Sequence, residues 1–132
     1  MLYLDKEAVV GFNRKIALQY GQAHAVVAEA NIEHFLEQSR CYGEKIKNDE
    51  ERLIKKASYL LYHLAYDAHA FSDGNKRTAM MATQTFLELN SYEMHEEQEM
   101  LASTMKKIAE GRLSISAIYK WLAEKTNKTA YG

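Results

Sequence analysis

The eleven residues His69–Ala79 (HAFSDGNKRTA) carry the side chains of this sequence that are best suited to phosphate chemistry. Gly74 permits a tight bend, and the backbone N–H groups of Asn75, Lys76 and Arg77 would then open a helix and point at an anion. Lys76 and Arg77 add positive charge, and a guanidinium can grip a phosphate through two parallel hydrogen bonds. The segment therefore predicts a phosphate site at the start of a helix.

Three further side chains of the segment indicate what such a site could do. Asp73 would repel a phosphate unless a cation lies between them, and a hard ion such as Mg²⁺ meets that need. His69 can take up a proton near neutral pH and so activate a hydroxyl group. Phe71 is flanked by polar residues, and we expect it to anchor the loop to the core. These residues suit a reaction between a metal-bound phosphate and a hydroxyl.

Simpler interpretations exist for each of these residues taken alone. His69 and Asp73 could merely cap helix ends, and Lys76 and Arg77 could form a solvated helix face. Only their joint occurrence, in this order, after an apolar helix favours a site.

A metal centre is a separate alternative. His63 and Asp67 lie four positions apart on a predicted helix and could ligate a metal together with His69. A hydrogen-bonded histidine among core positions is the commoner case, and we prefer it for His63. The other histidines have no evident partner in the sequence: His24, His34 and His95.

Composition excludes several classes of protein. A chain of 132 residues with 47% hydrophobic content can bury one core, so we expect a single domain over residues 1–132. Seventeen basic and eighteen acidic residues give a net charge of -1, which argues against binding to nucleic acid or an anionic membrane. No apolar run reaches the roughly 20 residues that span a bilayer, and the first residues do not resemble a signal peptide. With a lone cysteine, Cys41, a cytoplasmic protein is expected.

The pattern of apolar residues predicts an all-α fold. The chain has no proline and six glycines, which favours long helices punctuated by glycine. We predict an exposed loop or short hairpin-like flap in CYGEKIKNDEER and a brief extended turn in SYEMHEE. The predicted helices run from the cap Asp5 to the stop Gly21, from near Asn31 to before Gly43, over Glu51–Ala68, from Asn75 to the NS pair at 90–91, over Gln98–Glu110 and over Ser116–Lys125.

The quoted segment resembles the signature of the Fic/Doc (Fido) family, H-x-F-x-[DE]-G-N-x-R. It is more similar still to the Doc branch, in which N-K-R-T-A follows the acidic residue and F-L-x-x-N-G resembles FLELNSYE. The resemblance implies a compact all-α bundle with the motif in a loop between two central helices, and transfer of part of ATP to a protein hydroxyl. The specified positions of the signature are met by His69, Phe71, Asp73, Gly74, Asn75 and Arg77.

The resemblance also implies a role for each residue. His69 would be the general base and Asp73 the ligand of Mg²⁺ or Mn²⁺. Asn75 and Arg77 would contact the phosphates of ATP, alongside Gly74 and Lys76. Phe71 would anchor the loop.

Departures from the AMP-transferring members bear on which part of ATP is transferred. Those members usually carry Pro at the position of Ala70, Gly at Lys76 and Arg at Met80. The Doc branch shares the lysine and is understood to bind ATP in the opposite sense, so the resemblance favours phosphate transfer, with elongation factor Tu as the implied target. The alternatives are AMP transfer, a binding module without turnover, and a metal-dependent phosphohydrolase.

Regulation is expected to come from a second protein. Many family members carry an inhibitory helix with the pattern [ST]-x-x-x-E-[GN]. Glu110 and Gly111 match its end, but Lys106 occupies the Ser/Thr position. The resemblance therefore implies a Phd-like antitoxin that folds as a helix against a groove.

Overall fold

Helices make up most of residues 1–130, the part of the chain that the computed structural model describes. In chain order the helices and strands are α1 (Lys6–Tyr20), α2 (Glu29–Cys41), α3 (Asp49–Tyr66), α4 (Asn75–Leu89), β1 (Tyr92–Met94), α5 (Gln98–Ala109), α6 (Ile115–Lys125) and β2 (Thr126–Lys128). The prediction of a compact all-α bundle is confirmed, with the motif in the connection between α3 and α4. We call this connection, residues 67–74, the motif loop. No helix in the described part is long and apolar enough to cross a membrane.

Local capping explains where several helices begin and end. The Asp5 carboxylate accepts a hydrogen bond of 2.8 Å from the backbone N–H of Ala8 at the start of α1. Gly21 ends that helix in the left-handed conformation, with a φ of 63°. Asn48 caps α3 in the same way as Asp5 caps α1. The predicted helices therefore agree with the observed ones to within about two residues.

The segment 41–52 forms a loop over residues 42–48, which confirms the first of its two predicted alternatives, while the hairpin-like flap is wrong. Its last residues, Asp49–Arg52, form the first turn of α3, because Asn48 caps the helix earlier than expected. The preceding turn is held by Lys56, a fully buried lysine of α3. The Lys56 ammonium donates to the carbonyl of Arg40 and, at 2.6 Å, to the Glu44 carboxylate. The segment is thus a short turn and a helix start.

The brief extended turn predicted near residue 93 is the strand β1. It pairs antiparallel with β2, and Glu93 lies opposite Asn127 in the register. β2 was not predicted, because three residues of the sequence TNK show no apolar alternation.

α3 lies at the centre of the bundle and packs against α2, α4, α5 and α6. The side chains on its inner face are at most 4% exposed: Leu53, Ile54, Ala57, Leu60, Leu61 and Leu64. α4 packs against α3, and two of its small side chains, Ala79 and Ala82, are fully buried. The motif loop therefore connects two tightly packed helices.

A buried asparagine of α1 ties the motif loop to the first helix. Asn13 is 1% exposed, and its side-chain N–H₂ donates to the carbonyl of Asp73 at 2.8 Å and to the hydroxyl of Thr78 at 3.1 Å. Its side-chain oxygen lies 2.8 Å from Nδ1 of His24, which must carry the proton because an amide oxygen can only accept. His24 therefore has a partner that the sequence did not reveal.

We predict that Asn13→Ala lowers the free energy of unfolding by about 2–4 kcal/mol, because it leaves a cavity and removes the partner of a loop carbonyl and of a buried hydroxyl. Urea denaturation measures the change. The matched control is Asn127→Ala, an exposed position in β2, which should shift stability by no more than about 0.5 kcal/mol. A loss at Asn13 as small as at Asn127 would contradict the assignment.

Candidate active site

The connection between α1 and α2 runs beside the motif loop as a short antiparallel pairing. Val26 forms a bridge with Phe71. The carbonyl of Ala70 accepts hydrogen bonds from the backbone N–H groups of Val27 at 2.8 Å and Ala28 at 3.2 Å. The loop is therefore supported along its backbone by a segment more than 40 residues earlier in the sequence.

Phe71 and Asn75 close the loop on itself. The Phe71 side chain is buried at 4% exposure within the core. The Asn75 side chain donates to the carbonyl of Phe71 at 2.8 Å and accepts from its N–H at 3.1 Å. Both ends of the Asn75 carboxamide are thus used within the loop, and the backbone N–H of Asn75 remains free for a phosphate.

Gly74 provides the bend that starts α4. Its φ of 77° lies in the left-handed region, and a Cβ there would lie 3.2 Å from Nδ2 of Asn13 and 3.4 Å from Cγ2 of Ile16. A larger residue would strain the backbone and press on the Asn13 side chain. Glycine is therefore favoured here by both conformation and space.

The first turn of α4 leaves its backbone donors free. No side chain among the described residues caps this helix, and the first hydrogen bond of its ladder runs from the N–H of Thr78 to the carbonyl of Gly74 at 2.9 Å. Within residues 1–130, the N–H groups of residues 74–77 make no hydrogen bond. Unpaired N–H groups at a helix start favour an anion.

These groups border a cleft of about 400 Å³ between the motif loop, the start of α4 and the ends of α3 and α5. The polar and aromatic side chains that line it include His69, Asp73, Lys76, Tyr66, Lys106 and Glu110. The structure brings five predicted site residues to this cleft: His69, Asp73, Gly74, Asn75 and Lys76. Tyr66, Lys106 and Glu110 were not predicted to line a site, because they come from other helices.

His69 is held in an unusual backbone conformation. It is exposed and has a φ of 45°, in the left-handed region that costs a non-glycine residue on the order of 1 kcal/mol. Its neighbours impose this conformation: Asn31 donates to the carbonyl of Ala68 at 2.7 Å, and the carbonyl of Ala70 is bonded as described above. The imidazole is therefore presented to the cleft by a backbone fixed on both sides.

Arg77 does not line the cleft with the other motif residues. Its guanidinium lies over the ring of Tyr20, 3.9 Å from the centroid, at the end of α1. Lys76 and Arg77 are consecutive residues of α4, so their side chains leave the helix about 100° apart. Lys76 therefore borders the cleft, whereas Arg77 points toward α1. The predicted phosphate contact of Arg77 would need this side chain to leave Tyr20.

Two tyrosines of α3, Tyr59 and Tyr62, have hydroxyl groups with a raised pKa. Burial, and then the negative charge of Asp67, raises the pKa of the Tyr59 hydroxyl above its usual value. Burial likewise raises the pKa of Tyr62. Neither hydroxyl is therefore suited to act as a base near neutral pH, whereas an imidazole is.

His63 is a hydrogen-bonded side chain, as the sequence favoured. Its Nδ1 lies 2.8 Å from Oδ1 of Asp67, and its ring stacks on Phe35 at 4.3 Å. Across residues 1–130, no three or more His, Cys, Asp or Glu side chains converge on a point where a metal could bind. The alternative of a metal centre built from His63, Asp67 and His69 is therefore wrong.

Comparison with known proteins assigns the family. The family model described as "Fic/DOC family" matches residues 3–87, from α1 through most of α4 and well over half of the chain. A curated relative, "Toxin Doc" of Mycolicibacterium smegmatis, is 37% identical over 98 residues, which cover 70% of this chain and 67% of the relative. With the signature residues in the loop between two central helices, these matches show that the chain belongs to the Fic/Doc family.

Proposed function

We propose that this protein is a toxin of a toxin-antitoxin module that transfers a phosphoryl group from ATP to a Ser or Thr hydroxyl of a target protein. The observation that carries the proposal is the uncapped first turn of α4, which opens beside His69 in one cleft. Similarity to a relative named Toxin Doc supports the toxin role.

The cleft fits the phosphates of a nucleotide. The free N–H groups of residues 74–77 and the Lys76 ammonium can bind phosphate oxygens. Asp73 is exposed and forms no ion pair within residues 1–130. A single carboxylate suits Mg²⁺ or Mn²⁺, which would take further ligands from the phosphates and water and neutralise part of their charge.

The residues of the cleft account for each step of the transfer. His69 accepts the proton of the target hydroxyl while the hydroxyl oxygen forms a bond to the γ-phosphorus. The bond from that phosphorus to the β–γ bridging oxygen breaks, and ADP leaves. The N–H groups of the first turn and Lys76 stabilise the charge on the transferred group. His69 then releases its proton to solvent.

Two features favour phosphate over AMP transfer. Lys76 lines the cleft at the position where AMP-transferring relatives usually have glycine. Met80, where those relatives have a second arginine, is 7% exposed and belongs to the core, so it offers no charge to a phosphate. AMP transfer is the alternative outcome of the experiment below.

The proposal extends to two protein partners. The resemblance to the Doc branch implies elongation factor Tu as the target. It also implies a Phd-like antitoxin supplied in trans, because Lys106 interrupts the inhibitory pattern that other members carry in their own chain.

We predict that the wild type, incubated with elongation factor Tu and ATP labelled at the α or γ position, transfers only the γ label. At saturating ATP and Mg²⁺, Lys76→Gly should lower the γ-transfer rate by roughly 10²–10³, because a cation at developing charge is lost. The control is Lys45→Gly, the same change at an exposed turn remote from the cleft, which should leave the rate unchanged.

The other possible results of the labelling experiment distinguish the alternative functions. Transfer of the α label would show AMP transfer, and transfer of neither label would indicate a binding module. An unchanged γ-transfer rate in Lys76→Gly would remove Lys76 from the mechanism.

We predict that His69→Ala lowers γ-label transfer by about 10²–10⁴, the usual effect of losing a general base. Because the imidazole is exposed, the free energy of unfolding should stay within about 0.5 kcal/mol of the wild type. His95→Ala, which removes another exposed imidazole, is the control and should retain full activity. The assignment fails if His69→Ala keeps more than about a tenth of the wild-type rate.

We predict that transfer stops in excess chelator and returns on addition of Mg²⁺ or Mn²⁺, because the Asp73 carboxylate and the phosphates need a counterion. Asp73→Ala should remain inactive at Mg²⁺ concentrations that saturate the wild type. Glu124→Ala, an exposed acid on α6, should respond to Mg²⁺ as the wild type does. Full activity of the wild type in chelator would contradict a metal role.

A further inference from the structure

The end of α5 supplies a second wall of the cleft. Lys106, Ala109 and Glu110 all line it, and their spacing of three and four residues places them on one side of the helix. The other side of α5 holds Met105 and Ile108, which are 5% and 0% exposed in the core. The rotation of α5 is therefore fixed by burial, and this fixes which of its polar residues border the cleft.

This wall is also fixed relative to the motif loop. Gly111, which follows α5 with a φ of 73°, lies so close to Tyr66 that a Cβ there would be 2.8 Å from Cζ of the tyrosine ring. Tyr66 is the last residue of α3, directly before the motif loop. The end of α5 thus packs against the end of α3, and Lys106 is held at a set position beside the loop.

The Lys106 ammonium is not used elsewhere in the described structure. Glu110 is one helical turn away, a spacing that allows an i,i+4 ion pair, yet Lys106 forms no ion pair or side-chain hydrogen bond within residues 1–130. A favourable interaction with the end of the helix could explain a lysine here. Lys107 lies in the same last turn and has the same interaction with the helix end, but it does not line the cleft.

We propose that Lys106 is a nucleotide-binding residue, whose ammonium contacts the phosphates of ATP from α5. The phosphates would then lie between Lys76, on the first turn of α4, and Lys106, on a separate helix. This inference rests on the proposed function for the identity of the ligand, and it adds a contact from outside the signature segment.

The test measures Mg·ATP affinity by isothermal titration calorimetry, without any target protein. Lys106→Met should raise the dissociation constant roughly 5–20-fold at about 50 mM salt, the effect expected for loss of one charge-assisted contact. The matched control is Lys107→Met, the same change one residue away on the same exposed helix end, which should alter affinity by less than about twofold. The Lys106 effect should shrink at about 300 mM salt, because it is electrostatic.

An affinity of Lys106→Met equal to that of the wild type would overturn the inference, as would a loss that is the same at both salt concentrations. Its failure is separable from failure of the proposed function. If the wild type transfers the γ label and Lys106→Met binds ATP as tightly as the wild type, only the role of Lys106 is rejected. If Lys106→Met loses ATP affinity in a salt-sensitive way but the wild type transfers no γ label, only phosphotransfer is rejected. A wild type that does not bind ATP rejects both.

Discussion

The hydrogen bond from the buried Asn13 side chain to the carbonyl of Asp73 is the interaction on which the site depends. It joins residues 60 positions apart and measures 2.8 Å. A trans peptide unit is planar, with its C=O and N–H directed oppositely. Holding the Asp73 carbonyl toward α1 therefore directs the N–H of Gly74, in the same peptide unit, away from Asn13. One buried amide thus sets the orientation of the turn that opens α4.

Other carbonyl groups of the motif loop are also hydrogen-bonded to groups inside the protein. The carbonyls of Ala68, Ala70 and Phe71 are taken by Asn31, by the connection between α1 and α2, and by Asn75. With those of Asp73 and Gly74, five carbonyls of the loop are therefore hydrogen-bonded inside the protein, while the donors at the start of α4 remain free. A loop with this asymmetry favours anions, and its fixed backbone holds the His69 imidazole beside them. The strain at His69 is maintained by these same bonds.

The parts of the site that are local in sequence could be predicted, and the parts that depend on packing could not. His69, Asp73 and Lys76 fall within one short segment, so the pattern alone placed them together. Asn13 and Lys106 look like ordinary polar residues of amphipathic helices, and only the packing of α1 and α5 gives them a place near the loop. The sequence also could not show that Asn75 closes the loop or that Arg77 lies over Tyr20, since both depend on side-chain direction.

The central claim is that the free N–H groups of residues 74–77 bind the phosphates of ATP. Amide hydrogen exchange, measured by NMR with and without Mg·ATP, tests it directly. The account predicts that these amides exchange rapidly in the free protein and become protected by the nucleotide, whereas Phe71 and Ser72, whose N–H groups are already bonded, change little. Protection that appears elsewhere in the protein and leaves residues 74–77 unchanged would contradict the account.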